Sequence, residues 1–303
     1  MAFSETYRKQ VALLVRLLPL IAEEKCFALK GGTAINLFIR DMPRLSVDID
    51  LTYVPVAPRA ESLTAVDAAM RRIIDRIKEA MPDATVIPTV AEGAIVRLLV
   101  RQGGVQTKIE VTPVLRGCVY EPETRAVSDP VEAEFGFAEM PVVSFADLYA
   151  GKIVAALDRQ HPRDLFDVKD LLANEGINDA LRKAFIVYLL SHDRPMFEVL
   201  SSKQKDISDE FLHGFEGMME EAITREELIA ARAALAKEIV GNMPDEHRKF
   251  LLSFERGEPD WKLLGMPEAA KLPAVRWRQQ NLDKLSKEKR AALVESLRKV
   301  LYE

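Results

Sequence analysis

Two aspartates that stand one residue apart carry the clearest chemistry in this chain. Asp48 and Asp50 lie in the run Leu45-Ser46-Val47-Asp48-Ile49-Asp50-Leu51. Alternate side chains of a β-strand point to opposite faces, so both carboxylates would project together while Ile49 enters a core. Adjacent carboxylates repel each other unless a cation lies between them, and Mg²⁺ favours carboxylate oxygens together with substrate phosphates. The spacing therefore predicts a magnesium site that serves nucleotide chemistry.

A glycine pair ahead of this run predicts a phosphate-binding turn. Gly31 and Gly32 are followed by Thr33, at the start of a segment with a helical apolar pattern. Glycine lets the backbone approach a phosphate closely, and a helix N-terminus offers unpaired N–H groups. Lys30 and Ser46 flank these elements as candidate phosphate contacts, with ordinary surface as the alternative. A glycine pair alone is usually only a turn, but its order before the two aspartates favours the functional interpretation.

A third carboxylate lies on a strand predicted over residues 105–111. Lys108 and Glu110 alternate there with the apolar Ile109 and Val111. This alternation could bring Glu110 beside the two aspartates as a further metal ligand or as a base. A solvent-exposed hairpin face would show the same alternation, so both interpretations stay open.

A second group of charges lies further along the chain. Lys152 stands in an otherwise apolar predicted helix, and Arg159, Arg163, Asp164 and Asp167 crowd the start of the next one. A cation on a phosphate tail, oriented by a carboxylate, suits phosphoryl chemistry. The alternative is a structural salt-bridge cluster at a corner between two helices.

Length, charge and cysteine content limit the classes of protein. The 303 residues are nearly half apolar, with a formal net charge of −5 and two cysteines. This composition predicts a folded chain without an extensive basic surface, although a local basic patch remains compatible with it. Cys26 and Cys118 are too few for a disulfide framework or a zinc site, which favours a reducing cytoplasm. We expect no secretion signal and no membrane-spanning segment.

The hydrophobic patterns change in character along the chain. The first half alternates predicted helices with short strands joined by Glu92-Gly93 and Gly103-Gly104, which suit tight hairpins. Beyond about Phe145 only helical patterns remain. We therefore predict an α/β (α+β) catalytic domain with a small mixed sheet over residues 1–175. An all-helical domain that binds substrate is predicted over residues 176–303, with a soft boundary near Asn174-Glu175-Gly176.

Several motifs in this order resemble the AbiEii/AbiGii family of nucleotidyltransferase toxins. The similarity covers roughly the first 175 residues and rests on these runs: Lys30-Gly31-Gly32-Thr33-Ala34, Arg44-x-Ser46-x-Asp48-Ile49-Asp50-Leu51, Lys152, and Arg163-Asp164-Leu165-Phe166-Asp167. The resemblance implies a nucleotidyltransferase domain of the DNA polymerase β-like superfold. It also implies a toxin of a bacterial toxin–antitoxin or phage-defence pair, with a cognate antitoxin as partner.

The same resemblance implies a reaction and a catalytic set. Relatives transfer nucleotides from a nucleoside triphosphate to the 3′ acceptor end of tRNA. By matching positions, Asp48 and Asp50 would hold two Mg²⁺ ions, Lys152 would steady the triphosphate, and Asp167 would complete the catalytic set. The superfold often has Gly-Ser where this chain has Gly32, so Thr33 or Ser46 would have to supply the hydroxyl contact to phosphate.

An RNA substrate requires some positive surface despite the acidic total. Basic residues outnumber acidic ones from Lys271 onward, where Arg276, Trp277 and Arg278 form a candidate substrate-binding group. Trp277 could stack on an unpaired base, or it could be buried in a helical core. Three other interpretations remain open: transfer to a small-molecule or protein hydroxyl, a kinase-type phosphotransferase, and a catalytically idle binding module.

Overall fold

The structure is a computed structural model that describes residues 4–215, 217–219 and 222–303. The side chains of residues 113 and 114 lie outside this description. The chain divides into two compact units. The first unit comprises residues 1–144 and 215–222, and the second comprises residues 145–214 and 223–303.

The first unit is built on a mixed β-sheet. Its strand order is β3-β4-β5-β2-β1-β7-β6, and the strands are β1 (Phe27–Lys30), β2 (Asp48–Tyr53), β3 (Thr85–Ala91), β4 (Ala94–Gln102), β5 (Val105–Arg116), β6 (Glu123–Ala126) and β7 (Glu139–Val142). β2 runs parallel to β5 and antiparallel to β1, while β1 runs parallel to β7. The predicted mixed sheet is therefore confirmed, and β2 lies at its centre.

Four helices accompany this sheet in the described part of the first unit. They are α1 (Glu5–Ala22), α2 (Gly31–Ala34), α3 (Arg59–Ala80) and α4 (Asp129–Phe135), and α2 continues as a wider turn over Ile35–Ile39. The helical spacing of Val11, Leu14, Leu18 and Ile21 predicts an amphipathic helix, and all four side chains are fully buried in α1. None of the helices in the described residues is long and apolar enough to cross a bilayer.

Both predicted hairpins are tight turns with positive φ at the two central residues. Glu92 and Gly93 have φ of 51° and 80°, and Gly103 and Gly104 have φ of 58° and 79°. Such turns match the twist of the flanking strands, which is why glycine is favoured in them. They connect β3, β4 and β5 into one antiparallel meander.

All regular secondary structure in the described residues of the second unit is helical. Its helices are α5 (Phe145–Asp158), α6 (Pro162–Asn174), α7 (Asp179–Leu190), α8 (Met196–Leu200), α9 (Ser208–Gly214), α10 (Arg225–Ala236), α11 (Asp245–Glu255), α12 (Trp261–Leu264), α13 (Pro273–Asp283) and α14 (Lys287–Tyr302). A capping box formed by Thr224 and Glu227 begins α10. The hydrophobic pattern predicts a helix over residues 209–221, whereas α9 ends at Gly214, and residues 216, 220 and 221 of that prediction lie outside the described residues.

The division into units differs from the soft boundary expected near residue 175. That position lies inside the second unit, because α5 packs along α7 and α6 packs along α10. Gly176, with φ of 66°, follows the end of α6 in a left-handed conformation. The turn that suggested a domain boundary is therefore a helix C-terminus.

A short segment after α9 returns to the first unit. We call residues 215 and 217–219 the return segment. The Leu45 N–H donates to the Met218 carbonyl at 2.7 Å, and Arg44 forms a β-bridge with Met219. Phe215 and Met218 are buried. The return segment thus holds the chain just ahead of β2.

Candidate active site

β2 presents both aspartates on one face. Ile49 between them is fully buried, whereas Asp48 and Asp50 are partly exposed. Across the strands, Asp50 is in register with Lys30 of β1 and with Glu110 of β5. The central strand thus brings two of the predicted site residues on its neighbours level with Asp50.

Cations accompany these carboxylates. The Lys108 Nζ lies 3.8 Å from Asp48 Oδ2 and 3.2 Å from Glu110 Oε2, and Arg97 Nη2 lies 3.3 Å from Glu110 Oε1. Burial alone would raise the pKa of Glu110, but hydrogen bonds from Arg97 and Lys108 outweigh it and hold the pKa below its usual range. The sequence analysis gave Lys108 no site role, although Lys108 stands at an alternate position of its strand that can share a face with the two aspartates.

Lys30 is half-buried beside Asp50. Its Nζ donates to Thr112 Oγ1 at 3.1 Å. Burial lowers the pKa of Lys30, and the Asp50 carboxylate partly opposes that effect. Lys30 is therefore not an ordinary exposed surface residue, which was the alternative interpretation.

The glycine pair is required by close packing around the aspartates. Gly31 has φ of +77°, and a Cβ there would lie 2.7 Å from Asp50 Oδ2. A Cβ on Gly32 would lie 2.7 Å from Arg44 Nη2 and 3.0 Å from Ser46 Oγ. Any larger residue at either position would displace a polar side chain of the site. Arg44, 1% exposed, was not among the predicted site residues, although it stands in the Arg44-x-Ser46-x-Asp48 run.

Thr33 and Ser46 fasten the glycine turn to the strand. Thr33 Oγ1 lies 3.0 Å from Ser46 Oγ and 2.5 Å from the Asp48 carbonyl oxygen. Both side chains are buried. Their hydroxyls therefore hold α2 against the start of β2, and their predicted contact with phosphate stays a prediction.

The donor set at β2 is a pair of carboxylates. Among the described residues, no three His, Cys, Asp or Glu side chains are grouped to hold a metal ion, and the role of Glu110 as a further metal ligand stays a prediction. Mg²⁺ is commonly bound by only one or two carboxylates, with substrate phosphates and waters completing the octahedron. Two partly exposed aspartates with hard oxygen donors fit this ion.

The second charged group forms a buried cluster within the helical unit. The Lys152 Nζ lies 2.7 Å from Asp164 Oδ1 and 3.0 Å from Asp167 Oδ2, and both carboxylates are almost fully buried. Arg159 Nε donates to Asp164 Oδ2 at 2.6 Å. Burial would raise the pKa of Asp164, but Lys152 and Arg159 outweigh it and hold the pKa far below its usual range. α5 and α6 thus bring four of the predicted charges together as an ion-pair network.

His161 begins α6 beside this cluster. Its Nδ1 accepts a hydrogen bond from the Arg163 backbone N–H at 3.1 Å, which makes it the helix N-cap. Burial, reinforced by the charge of Arg163, lowers the pKa of His161 to about 4. The imidazole is therefore neutral and structural at neutral pH. The Arg163 side chain is half-buried in the same turn.

The predicted substrate group on α13 is divided between two faces. Trp277 is 57% exposed, with Lys284 Nζ 5.6 Å from its ring centroid, so the alternative of a buried core tryptophan is wrong. Arg276 is also exposed. Arg278 instead donates to the Arg194 carbonyl at 3.2 Å and lies 3.8 Å from the buried Glu255. Arg276 and Trp277 remain accessible, whereas Arg278 faces inward.

Comparison with known proteins concerns the family and the fold of this chain. A family model described as nucleotidyl transferase AbiEii toxin, type IV toxin–antitoxin system, matches residues 12–281. Among solved structures, the chain is similar to MenT4, a nucleotidyltransferase toxin from Mycobacterium tuberculosis H37Rv, with a TM-score of 0.58 and 16% identity. That similarity covers 92% of this chain and 94% of the other, and it concerns the fold. A search of curated protein sequences found no match.

Proposed function

Because this chain belongs to the AbiEii family of nucleotidyltransferase toxins, we propose that it transfers nucleotides from a nucleoside triphosphate to the 3′ end of tRNA. Such a modification of the acceptor end would block translation. The proposal rests chiefly on one observation: Asp48 and Asp50 share a partly exposed face of β2 directly beside the Gly31 turn. The family is one of type IV toxin–antitoxin systems, so its partner is an antitoxin.

Asp48 and Asp50 are the residues that would bind Mg²⁺ in this reaction. Bound there, two Mg²⁺ ions would supply Lewis-acid stabilisation of the attacking hydroxyl and of the leaving pyrophosphate. The N–H groups at the Gly31-Gly32 turn would bind phosphate oxygens, and Lys30 adds positive charge beside them. Glu110, held by Lys108, would limit the excess of positive charge around the triphosphate.

The family resemblance also implies roles in the reaction for Lys152 and Asp167. Their supporting observation is the buried network in which Asp164 and Asp167 fix the Lys152 ammonium within 3.0 Å. A cation fixed in this way is oriented before substrate arrives, which reduces the entropic cost of binding a triphosphate. Arg159 and Arg163 are the accompanying candidates for contact with substrate.

The direct test is incubation of purified protein with tRNA, Mg²⁺ and each α-³²P-labelled nucleoside triphosphate in turn. We expect label on tRNA from one donor, and none on periodate-oxidised tRNA, whose 3′ hydroxyls are destroyed. Asp48→Asn should lower the rate by about a thousandfold or more, because it removes electrostatic stabilisation of the transition state. Asp75→Asn, an exposed carboxylate on α3, is the matched control and should leave the rate unchanged.

Three outcomes would contradict the proposal. Near-normal transfer by a folded Asp48→Asn variant would refute the proposal that β2 carries the metal ligands. Label on a small molecule or a protein instead of tRNA would identify a different acceptor, an alternative with which the net charge of −5 is compatible. Transfer from γ-labelled but not α-labelled triphosphate would identify a phosphotransferase.

The proposed role in cells is growth arrest, with phage defence as its use. Expression of the wild-type chain should stop growth of a bacterial host, and expression of Asp48→Asn should not. Continued growth with active wild-type enzyme, at equal protein levels, would contradict a role as a toxin.

A further inference from the structure

A cavity of about 280 Å³ lies within the helical unit, between α11, α12 and α13. Phe254, Trp261 and Val275 provide apolar walls, and Arg276, Gln279 and Gln280 contribute polar groups. A mostly apolar pocket with a small number of convergent polar groups is typical of a binding site for a small organic group. None of these six residues belongs to the metal-binding strand or to the Lys152 network.

The apolar wall holds its indole ring in a fixed position. Trp261 packs 5.0 Å from the ring centroid of Phe250 and 6.3 Å from that of Phe254, the latter nearly perpendicular. Edge and tilted contacts of this kind restrict the indole plane. A fixed, half-exposed indole is a surface on which a flat heteroaromatic ring can stack, and such stacking does not depend on base identity.

The polar groups lie on one face of α13. Arg276, Gln279 and Gln280 are spaced i, i+3 and i+4, which places them on neighbouring turns of one helix face. The Gln279 Nε2 donates to the Gly257 carbonyl and to Asp283 Oδ1, each at 3.2 Å. Its Oε1 is buried with no hydrogen-bond partner among the described residues. An N–H donor would satisfy this acceptor, and every RNA base has one on its Watson–Crick edge.

Size and charge restrict the occupant. Pockets for drug-sized ligands usually span about 300–1,000 Å³, so this cavity suits one ring system better than a whole nucleoside triphosphate. Residues 271–303 contain nine Lys and Arg against four Asp and Glu, in a chain whose net charge is −5. Arg276, which is exposed at the cavity, stands within this locally basic sequence. Such a sequence favours contact with a phosphate backbone.

We propose that this cavity binds one unpaired nucleobase of a single-stranded RNA segment. The base would stack on Trp261 and donate to Gln279, while Arg276 contacts the adjoining phosphate. This inference rests on the proposed RNA substrate and adds to it a site that holds the RNA outside the reacting centre.

The two tryptophans of the chain allow a direct test, because Trp261 lines the cavity and Trp277 is exposed on α13. In an Asp48→Asn background, Trp277→Phe leaves Trp261 as sole reporter, and Trp261→Phe leaves Trp277. We expect a single-stranded oligoribonucleotide to quench Trp261 saturably, whereas double-stranded RNA and polyphosphate should not. Gln279→Ala should weaken binding about tenfold, within the range of a lost base contact. Gln280→Ala, at an exposed position, should weaken it less, and Gln204→Ala should leave it unchanged.

Three results would overturn the inference. Quenching confined to Trp277 would mean that RNA binds the exposed face and leaves the cavity empty. Equal quenching of Trp261 by polyphosphate would mean that charge alone drives the change. An apolar peptide that occupies the cavity and is not displaced by RNA would identify a protein partner instead. If RNA does not quench Trp261 but the protein still transfers nucleotides to tRNA, only the proposed base-binding cavity is refuted. If RNA quenches Trp261 but the protein has no transfer activity, only the proposed reaction is refuted.

Discussion

Replacement of Gly31 by alanine tests whether the glycine turn positions the Asp50 carboxylate, the proposed metal ligand. Gly31 has φ of +77°, and its Cβ would lie 2.7 Å from Asp50 Oδ2. The substitution therefore has two effects: backbone strain in the left-handed region and displacement of the Asp50 carboxylate. Gly93 separates these effects, because it has φ of +80° and nothing within 4 Å of its Cβ position.

The expected magnitudes differ between stability and activity. Left-handed backbone costs a residue with a Cβ about 1–2 kcal/mol, so Gly31→Ala and Gly93→Ala should both lose about that much stability. The Asp50 carboxylate can rotate away from the new methyl group, so the extra loss of stability at position 31 should be small. A displacement of about 1 Å in a catalytic group can lower the rate by about a hundredfold, so only Gly31→Ala should lose transfer activity on that scale.

Two measurements on the same protein preparations separate the loss of stability from the loss of activity. Urea unfolding gives the free energy of unfolding of each variant, and initial rates of nucleotide transfer at saturating triphosphate give activity. If Gly31→Ala transfers nucleotide within a fewfold of Gly93→Ala, the close approach to Asp50 has no catalytic consequence. If instead both variants lose activity in proportion to stability, general destabilisation explains the result and the seating argument is refuted.

Three further perturbations address the buried network, the N-cap of α6 and the metal. Lys152→Met leaves Asp164 and Asp167 buried without their shared cation and should cost about 3 kcal/mol or more in urea unfolding; a loss under about 1 kcal/mol would contradict the coupling. His161 has a pKa of about 4 in the fold against an ordinary 6.5, so the unfolded chain takes up the proton first as pH falls. Stability should therefore decline between about pH 6.5 and 4, by about 1–2 kcal/mol given partial exposure, and His161→Asn should lack this slope; identical slopes would refute it. Chelation by EDTA should abolish transfer with an unchanged circular dichroism spectrum, and Mg²⁺ should restore it; full activity in EDTA would exclude the metal.

The features predicted from sequence were those encoded locally. The alternation around Asp48 and Asp50 identified β2, and the pairs Glu92-Gly93 and Gly103-Gly104 identified both hairpins, because turn geometry depends on residues adjacent in the chain. β1, β6 and β7 were not predicted as strands. Each has only four residues, and pairing with distant partners defines them more than any internal pattern does.

Side-chain environment was less predictable than backbone structure. The sequence left open whether Lys152 serves phosphoryl chemistry or a structural salt-bridge cluster, and only the packing of α6 against α5 brings Asp164 and Asp167 to its ammonium. Arg44 gave no signal of burial, because an arginine becomes buried only where tertiary structure supplies its contacts. The exposure of Trp277 likewise depends on which face of α13 meets the rest of the helical unit.

The return segment affects when the first unit can complete its fold during synthesis. Met218, which accepts from the Leu45 N–H, follows Leu45 by 173 residues. A ribosome adds about 5–20 residues per second, so the strand that carries the aspartates is synthesised long before the segment that secures its approach. The first unit is therefore discontinuous in sequence, and its fold closes only after most of the polypeptide has been synthesised. A truncated product that stops before Phe215 contains the aspartates but lacks the buried Phe215 and Met218 side chains that complete their unit.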